Sequence, residues 1–240
     1  MCYSTSLAKS EKVIEEHFNK EFEVPLLYEP YYYISGFQHP NVFIIPQDDS
    51  KVIWPSIWGL IPEFAMNDLD GFRAKANTLN AKGETVYNTR SFKKSIENQR
   101  CLIIADGFYE PHHYNGISYP HYCRLKDYSL FTFAGIYTKL DEELYTCSIL
   151  TIEANDFFSK IHNKKKRMPL VLDTEFEEEW LRNDLNENHV KELIKSGFTN
   201  DDFDAYPVTR NLYSKNFEKN TAQSIQKVDY PELGQQQTLF

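Results

Sequence analysis

Cys2 follows Met1 directly, and a side chain that small permits removal of the initiator methionine. Cys2 would then carry a free amine and a thiol on adjacent carbons. The amine of such a pair condenses with an aldehyde to an imine. The thiol then closes on the imine carbon, giving a five-membered thiazolidine. Both groups are available near neutral pH, since an α-amino group titrates at about 8 and a free thiol at about 8.5. A second-position cysteine with no role looks the same on the dipeptide alone, so its partners decide.

Three stretches offer such partners. Cys101 to Ala105 is an apolar strand running into Asp106-Gly107-Phe108-Tyr109-Glu110. A carboxylate there is an ordinary strand-end acid, or one whose raised pKa suits general acid–base work. His162 is followed by four consecutive cations, Lys164, Lys165, Lys166 and Arg167. A lone histidine reads as structural, but an anionic ligand fits beside that run. Asn80-Ala81-Lys82 with Arg90 supplies an amide that both donates and accepts, and a planar fork that grips phosphate. Arg210, closing Tyr206-Pro207-Val208-Thr209-Arg210, is a second candidate phosphate ligand.

The segment 71–100 reads as a long polar excursion, and loops of that length are usually functional. Arg73, Lys75, Lys82, Arg90, Lys93, Lys94 and Arg100 face only Glu84 and Glu97. That is either a solvated basic loop or a phosphate-binding surface. The whole chain has the opposite sign, with a formal net charge of -9, which argues against broad nucleic-acid binding but not against a local basic groove.

The elements that must position these groups are mostly strands. At 240 residues and 41% hydrophobic, the chain can bury a sizeable core as one β-rich domain. Strands are expected at Val42 to Ile45, Lys51 to Trp58, Cys101 to Ala105, His121 to Leu125, Leu130 to Thr138 and Tyr145 to Glu153. Helical spacing appears over 9–22, at Asp156 to Ile161, from a Thr174/Glu177 capping box to Leu181, and over Val190, Leu193 and Ile194 with Gly197 as C-cap. Tyr28 to Tyr33 is punctuated by Pro30 and reads as a loop. Cys2, Cys101, Cys123 and Cys147 form no C-x-x-C, so neither zinc spacing nor a thioredoxin-like motif is present. No signal peptide or transmembrane run is visible, and a cytoplasmic protein with reduced thiols is expected.

Taken together and in order, Met1-Cys2, the N-A-K-x-E-T block at Asn80, D-G-F-Y-E ending at Glu110, I-H…R-M-P at His162 and Y-P-V-T-R at Tyr206 resemble the SRAP (SOS response-associated peptidase) family. The resemblance implies an α+β, β-rich single domain over residues 1–225, with strongly curved, barrel-like sheets and peripheral helices. It implies abasic site processing on single-stranded DNA. There the N-terminal cysteine, freed of Met1, traps the lesion's aldehyde as a thiazolidine crosslink that shields it. The enzyme expected is thus a lyase-like crosslinker with autoproteolytic release of Met1, acting at damaged DNA in the nucleoid. A cysteine peptidase using Cys2 and His162, or a non-covalent single-strand binding module, are the alternatives.

Carried over by position, Cys2 matches the crosslinking residue and Asn80 the asparagine that holds it. Glu110 and His162 match the groups that move protons. Lys82, Arg90, Arg167, Arg210 and Lys164 to Lys166 are expected on DNA phosphates, and Phe64 on a base, since stacking needs only a π-face. No cofactor or metal is expected, and a monomer is. Three departures stand out. The family opens C-G-R where this chain has Cys2-Tyr3-Ser4, and Pro111 replaces a tryptophan. The stretch between His162 and Arg167 is also longer than in the family pattern, and its added lysines are expected to compensate for the missing arginine. Residues 226–240 read as a polar, flexible tail whose Gln236, Leu239 and Phe240 resemble a sliding-clamp docking motif.

Overall fold

The computed structural model describes residues 2–196 and 202–234. In chain order its strands are β1 (Ser4–Leu7), β2 (Glu21–Phe22), β3 (Tyr31–Ser35), β4 (Asn41–Pro46), β5 (Val52–Trp58), β6 (Asn80–Lys82), β7 (Arg100–Ala105), β8 (Gly107–Tyr114), β9 (Ile117–Leu125), β10 (Phe131–Lys139), β11 (Tyr145–Glu153), β12 (Arg167–Pro169), β13 (Val171–Leu172) and β14 (Phe203–Pro207). The helices are α1 (Glu11–Phe18), α2 (Leu69–Arg73), α3 (Lys93–Asn98), α4 (Asp156–Ile161), α5 (Thr174–Trp180), α6 (Glu187–Ser196) and α7 (Pro231–Gly234).

The longer strands pair antiparallel in the order β11-β10-β7-β4-β5, and β5 then meets β11 in parallel through Ser56, Ile57 and Trp58. The sheet thereby closes on itself, which is the strongly curved, barrel-like α+β architecture that the family resemblance implies. Closure also removes the free edges that a flat sheet would expose. Successive residues in these strands feed two different cores. In β7, Cys101, Ile103 and Ala105 enter one cluster and Leu102 and Ile104 the other. One cluster takes Ile14, Ile96, Trp180 and Leu193 from the helices, and the other takes Phe108, Cys123 and Phe203 from a second sheet. Both faces are therefore covered, and the strands read as continuous apolar runs rather than as alternation.

The second sheet, ordered β14-β9-β8-β1-β3, positions the N-terminus. β1 lies between β3 and β8, with Thr5 opposite Phe108 and Ser6 opposite Gly107. Asp106 pins the strand from its side: Ser6 Oγ donates to one carboxylate oxygen at 2.6 Å and the Ala8 N–H to the other at 2.6 Å.

Several expectations change. The aromatic stretch read as a loop, Tyr28 to Tyr33, runs into β3 at Tyr31, because β1 gives its backbone a partner. The excursion over 71–100 is partly structural: Leu79, Ala81, Val86, Tyr87, Phe92 and Ile96 are buried, and Ile149 to Thr151 of β11 pair with β6. Arg100 is wholly buried, and its guanidinium donates to the carbonyls of Trp180, Ile96, Glu97 and Arg182. Carbonyls left over at helix ends are natural acceptors for a buried cation. Thr174 is the first helical residue of α5 rather than its cap, and Glu177 instead accepts from Thr132 Oγ1 at 2.7 Å.

Residues 226–234, read as the start of a flexible tail, are held to the domain. Val228 N–H donates to the Pro207 carbonyl, Tyr230 Oη to the Val208 carbonyl, and Tyr119 Oη to Glu232. Gly197 and the docking residues Gln236, Leu239 and Phe240 lie outside the described residues. No helix among the described residues is long and apolar enough to cross a membrane.

Candidate active site

Cys2 precedes β1 and is wholly buried. Its backbone carbonyl accepts a hydrogen bond from Asn80 Nδ2 at 2.8 Å, and its Sγ lies 3.5 Å from the Ser4 carbonyl. β6, paired in parallel with β11, carries Asn80 to this point. Asn80 Oδ1 is buried there with no hydrogen-bond partner among the described residues.

β8, beside β1 in the sheet, carries Glu110, which is 1% exposed. His162 caps the end of α4 and is 4% exposed. Its Nδ1 lies 2.8 Å from the Arg167 carbonyl and 3.3 Å from Glu110 Oε2. A carbonyl can only accept, so Nδ1 carries the ring proton and Nε2 is the basic nitrogen.

Burial sets the protonation states. It pushes Glu110 up to about 7. It pushes His162 down to about 4, so the ring is neutral at physiological pH. The Cys2 thiol is raised well above its ordinary range, first by burial and then by the Glu110 carboxylate. A carboxylic acid poised near 7 can both give and take a proton, which an ordinary surface glutamate at about 4.3 cannot do efficiently.

Beside this pair opens a cleft of about 550 Å³, walled by Glu110, His162, Tyr3, Phe37, Lys164 and Lys165 among others. Tyr3 and Phe37 pack against each other with ring centroids 4.8 Å apart and the ring planes tilted by 32°. Lys164 and Lys165 reach the cleft because the turn after His162 closes on itself. Lys166 adopts a left-handed backbone with φ 49°, and its N–H donates to the His162 carbonyl at 2.9 Å. The turn is also fastened to β8 by Asn163, which bonds both polar groups of the His113 backbone.

The remaining candidates are placed differently. Arg167 forms a two-pronged ion pair with Glu84, at 2.6 and 3.0 Å, and also donates to the Thr151 carbonyl. Its fork, expected on phosphate, is engaged within the protein. Arg90 is exposed but lies over the Phe64 ring at 4.2 Å, and Phe64 is 52% exposed. Arg210 lies over Tyr119 at 5.3 Å. Lys82 is exposed on β6. Of the run from Lys164 to Arg167, Lys164 and Lys165 line the cleft, and neither Lys166 nor Phe64, Lys82, Arg90 or Arg210 does. Sequence reasoning missed Tyr3, Phe37, Asp106 and Asn163 as site-forming residues. The aromatic density near the N-terminus was a signal for the first two.

Cysteine, asparagine, glutamate and histidine thus meet at one end of the second sheet, and residues 1–215 match the family model for the SOS response associated peptidase, SRAP. The chain belongs to the SRAP family. Abasic site processing protein YoqW of Bacillus subtilis (strain 168) is 33% identical over 216 residues, covering 87% of this chain and 92% of that protein. Abasic site processing protein HMCES of Gallus gallus is 30% identical over 170 residues, 60% of this chain and 49% of that one. A protein of solved structure from Bacteroides thetaiotaomicron has a TM-score of 0.84 at 28% identity, covering 95% of this chain and all of the other (100%). For an SRAP protein the departure at Tyr3 has a structural counterpart. The ring sits in the cleft wall against Phe37, so an aromatic surface stands near where the family pattern has a glycine and an arginine.

Proposed function

We propose that this SRAP protein binds single-stranded DNA at abasic sites and traps the lesion through Cys2. Removal of Met1 frees the amine. The amine adds to the ring-opened sugar aldehyde, and loss of one water gives the imine. The thiol then adds across the C=N bond, forming C–S while its proton passes to nitrogen. One water leaves in total and nothing is oxidised or reduced. Protonated Glu110 would supply the proton on which the departing hydroxyl leaves as water. Its carboxylate would take the proton of the thiol. Neutral His162 would hold Glu110 in place through Nδ1 and present Nε2 to the sugar hydroxyls. The unpartnered Asn80 Oδ1 is an acceptor suited to the freed amine or to a sugar hydroxyl.

The observation that carries this reading is the bond from Asn80 to the Cys2 carbonyl beside a buried Glu110–His162 pair. A cysteine peptidase fits less well. Its nucleophile needs a cation to favour the thiolate, whereas burial and a carboxylate raise the Cys2 thiol. The thiol is wholly buried, so access to it accompanies the loss of Met1 in this scheme.

The test is a denaturing gel after incubation with single-stranded DNA carrying one abasic site. A heat-stable shifted band is expected for the wild type and none for Cys2→Ala, which should still bind the DNA. Intact mass should show Met1 absent from the crosslinked protein. A methionine retained on every crosslinking molecule overturns the scheme.

A further inference from the structure

The cleft at Glu110 and His162 does not end at its aromatic wall. Tyr33 and Ser35 line it, and the same two residues line a second depression of about 400 Å³ whose other walls include Lys215 and Lys219. Lys219 Nζ stands 5.8 Å from the centre of the Tyr33 ring. The segment bearing these lysines is fixed, since Asn220 Oδ1 accepts from the Tyr32 N–H at 2.8 Å on β3. The one acid in the depression, Glu218, is turned onto its own loop, accepting from the Asn220 N–H at 3.1 Å. Two lysines, an aromatic floor and two more lysines therefore follow one another along a continuous surface. That sequence of groups matches a single nucleic-acid strand, whose phosphates want cations and whose bases want flat rings. Lys219 and Asn220 lie just beyond the family match, which ends at residue 215.

We propose that, given the abasic-site reading above, the DNA strand continues past the lesion over Tyr33 onto Lys215 and Lys219, while Lys164 and Lys165 hold its phosphates on the other side. The packed Tyr3–Phe37 pair is the platform for the base next to the lesion. The strand is thus held on both sides of the reacting sugar.

The test uses single-stranded oligonucleotides carrying an unreactive tetrahydrofuran abasic analogue, with the arm on one side lengthened from none to about six nucleotides, a span within single-strand site sizes. The 5′ and 3′ arms are varied separately. Wild-type affinity should rise with each arm, and the rise along one of them is the one assigned to Lys215 and Lys219. Lys215→Ala/Lys219→Ala should lose that rise and lower the log–log salt slope by about 1.4, two contacts at about 0.7 each for a single strand. A 2-aminopurine beside the analogue should be quenched by the wild type and unquenched by Phe37→Ala. Binding by the double variant equal to wild type at every arm length, in both series, overturns this proposal alone. If the wild type neither binds these strands nor crosslinks an authentic abasic site, the underlying functional reading falls with it.

Discussion

Asn163 and His113 hold each other by two hydrogen bonds, His113 N–H to Asn163 Oδ1 at 2.9 Å and Asn163 Nδ2 to the His113 carbonyl at 2.8 Å. The pair ties the turn that bears His162 to the strand that bears Glu110. One amide thus sets the spacing of two residues that are far apart in the chain. Asn163→Ala should slow trapping by about tenfold, because small misplacements of reacting groups are costly. The fold should lose only about 1–2 kcal/mol. Single-turnover crosslinking and denaturant unfolding measure the two separately. An unchanged trapping rate would mean that the Lys166-to-His162 backbone bond suffices to hold the turn.

Glu110 and His162 predict opposite pH dependences of stability. Burial raises Glu110 to about 7, so the folded protein keeps a proton that the unfolded chain has released. The stability this group contributes is full below its unfolded value of about 4.3 and is lost as pH rises through 7. Burial lowers His162 to about 4. Its contribution is full above the unfolded value of about 6.5 and is lost as pH falls through 4. The two windows overlap and offset each other in the wild type. Glu110→Gln removes only the first. Relative to wild type it should gain on the order of 3 kcal/mol between pH 4 and 8. It should also trap about 100- to 10,000-fold more slowly. Urea midpoints for both proteins across this range are the measurement, and a difference that stays constant with pH refutes the assignment.

The cations near the cleft divide into two classes. Lys164 and Lys165 line it, whereas Arg167 is locked on Glu84. Lys164→Ala/Lys165→Ala should lower the salt slope of single-strand binding by about 1.4, with little change in stability. Arg167→Met should do the reverse, leaving the slope alone and costing about 1 kcal/mol for a partly exposed pair. A large slope change in Arg167→Met would show that the fork leaves Glu84 for phosphate.

Strand positions were legible because the barrel strands are apolar on both faces: β11 and α4 fall where the sequence put them, at Tyr145–Glu153 and Asp156–Ile161. Cys2, Asn80, Glu110 and His162 were legible as types in motifs. Their meeting was not, since it depends on β1 entering between β3 and β8, a pairing between residues about a hundred positions apart that no local pattern encodes. The fate of each cation was equally hidden. Arg100 and Arg167 look like their neighbours in the sequence, and only the carbonyls around the first and the carboxylate beside the second remove them from the surface.

Gly107, the second residue of the Asp106–Glu110 motif, has a reason to be glycine that concerns space. A Cβ built there would lie 2.2 Å from Tyr122 Oη and 2.3 Å from Tyr122 Cζ. Tyr122 cannot easily withdraw, because its hydroxyl bonds Ser6 Oγ at 2.9 Å and its ring packs against Tyr109 and Tyr206. Gly107→Ala should therefore push the ring off Ser6 and loosen β1, the strand that Cys2 leads into. The expected cost is about 1–3 kcal/mol, typical of overpacking, with a matching drop in crosslinking. Tyr122→Ala alone should also destabilise, by leaving a hole. The two changes occupy the same space, so the double variant should lose less than the sum of the single losses. Unfolding of the four proteins in one urea series decides it. Strictly additive losses would mean that the alanine is accommodated elsewhere and that the contact between Gly107 and Tyr122 does not hold β1 in place.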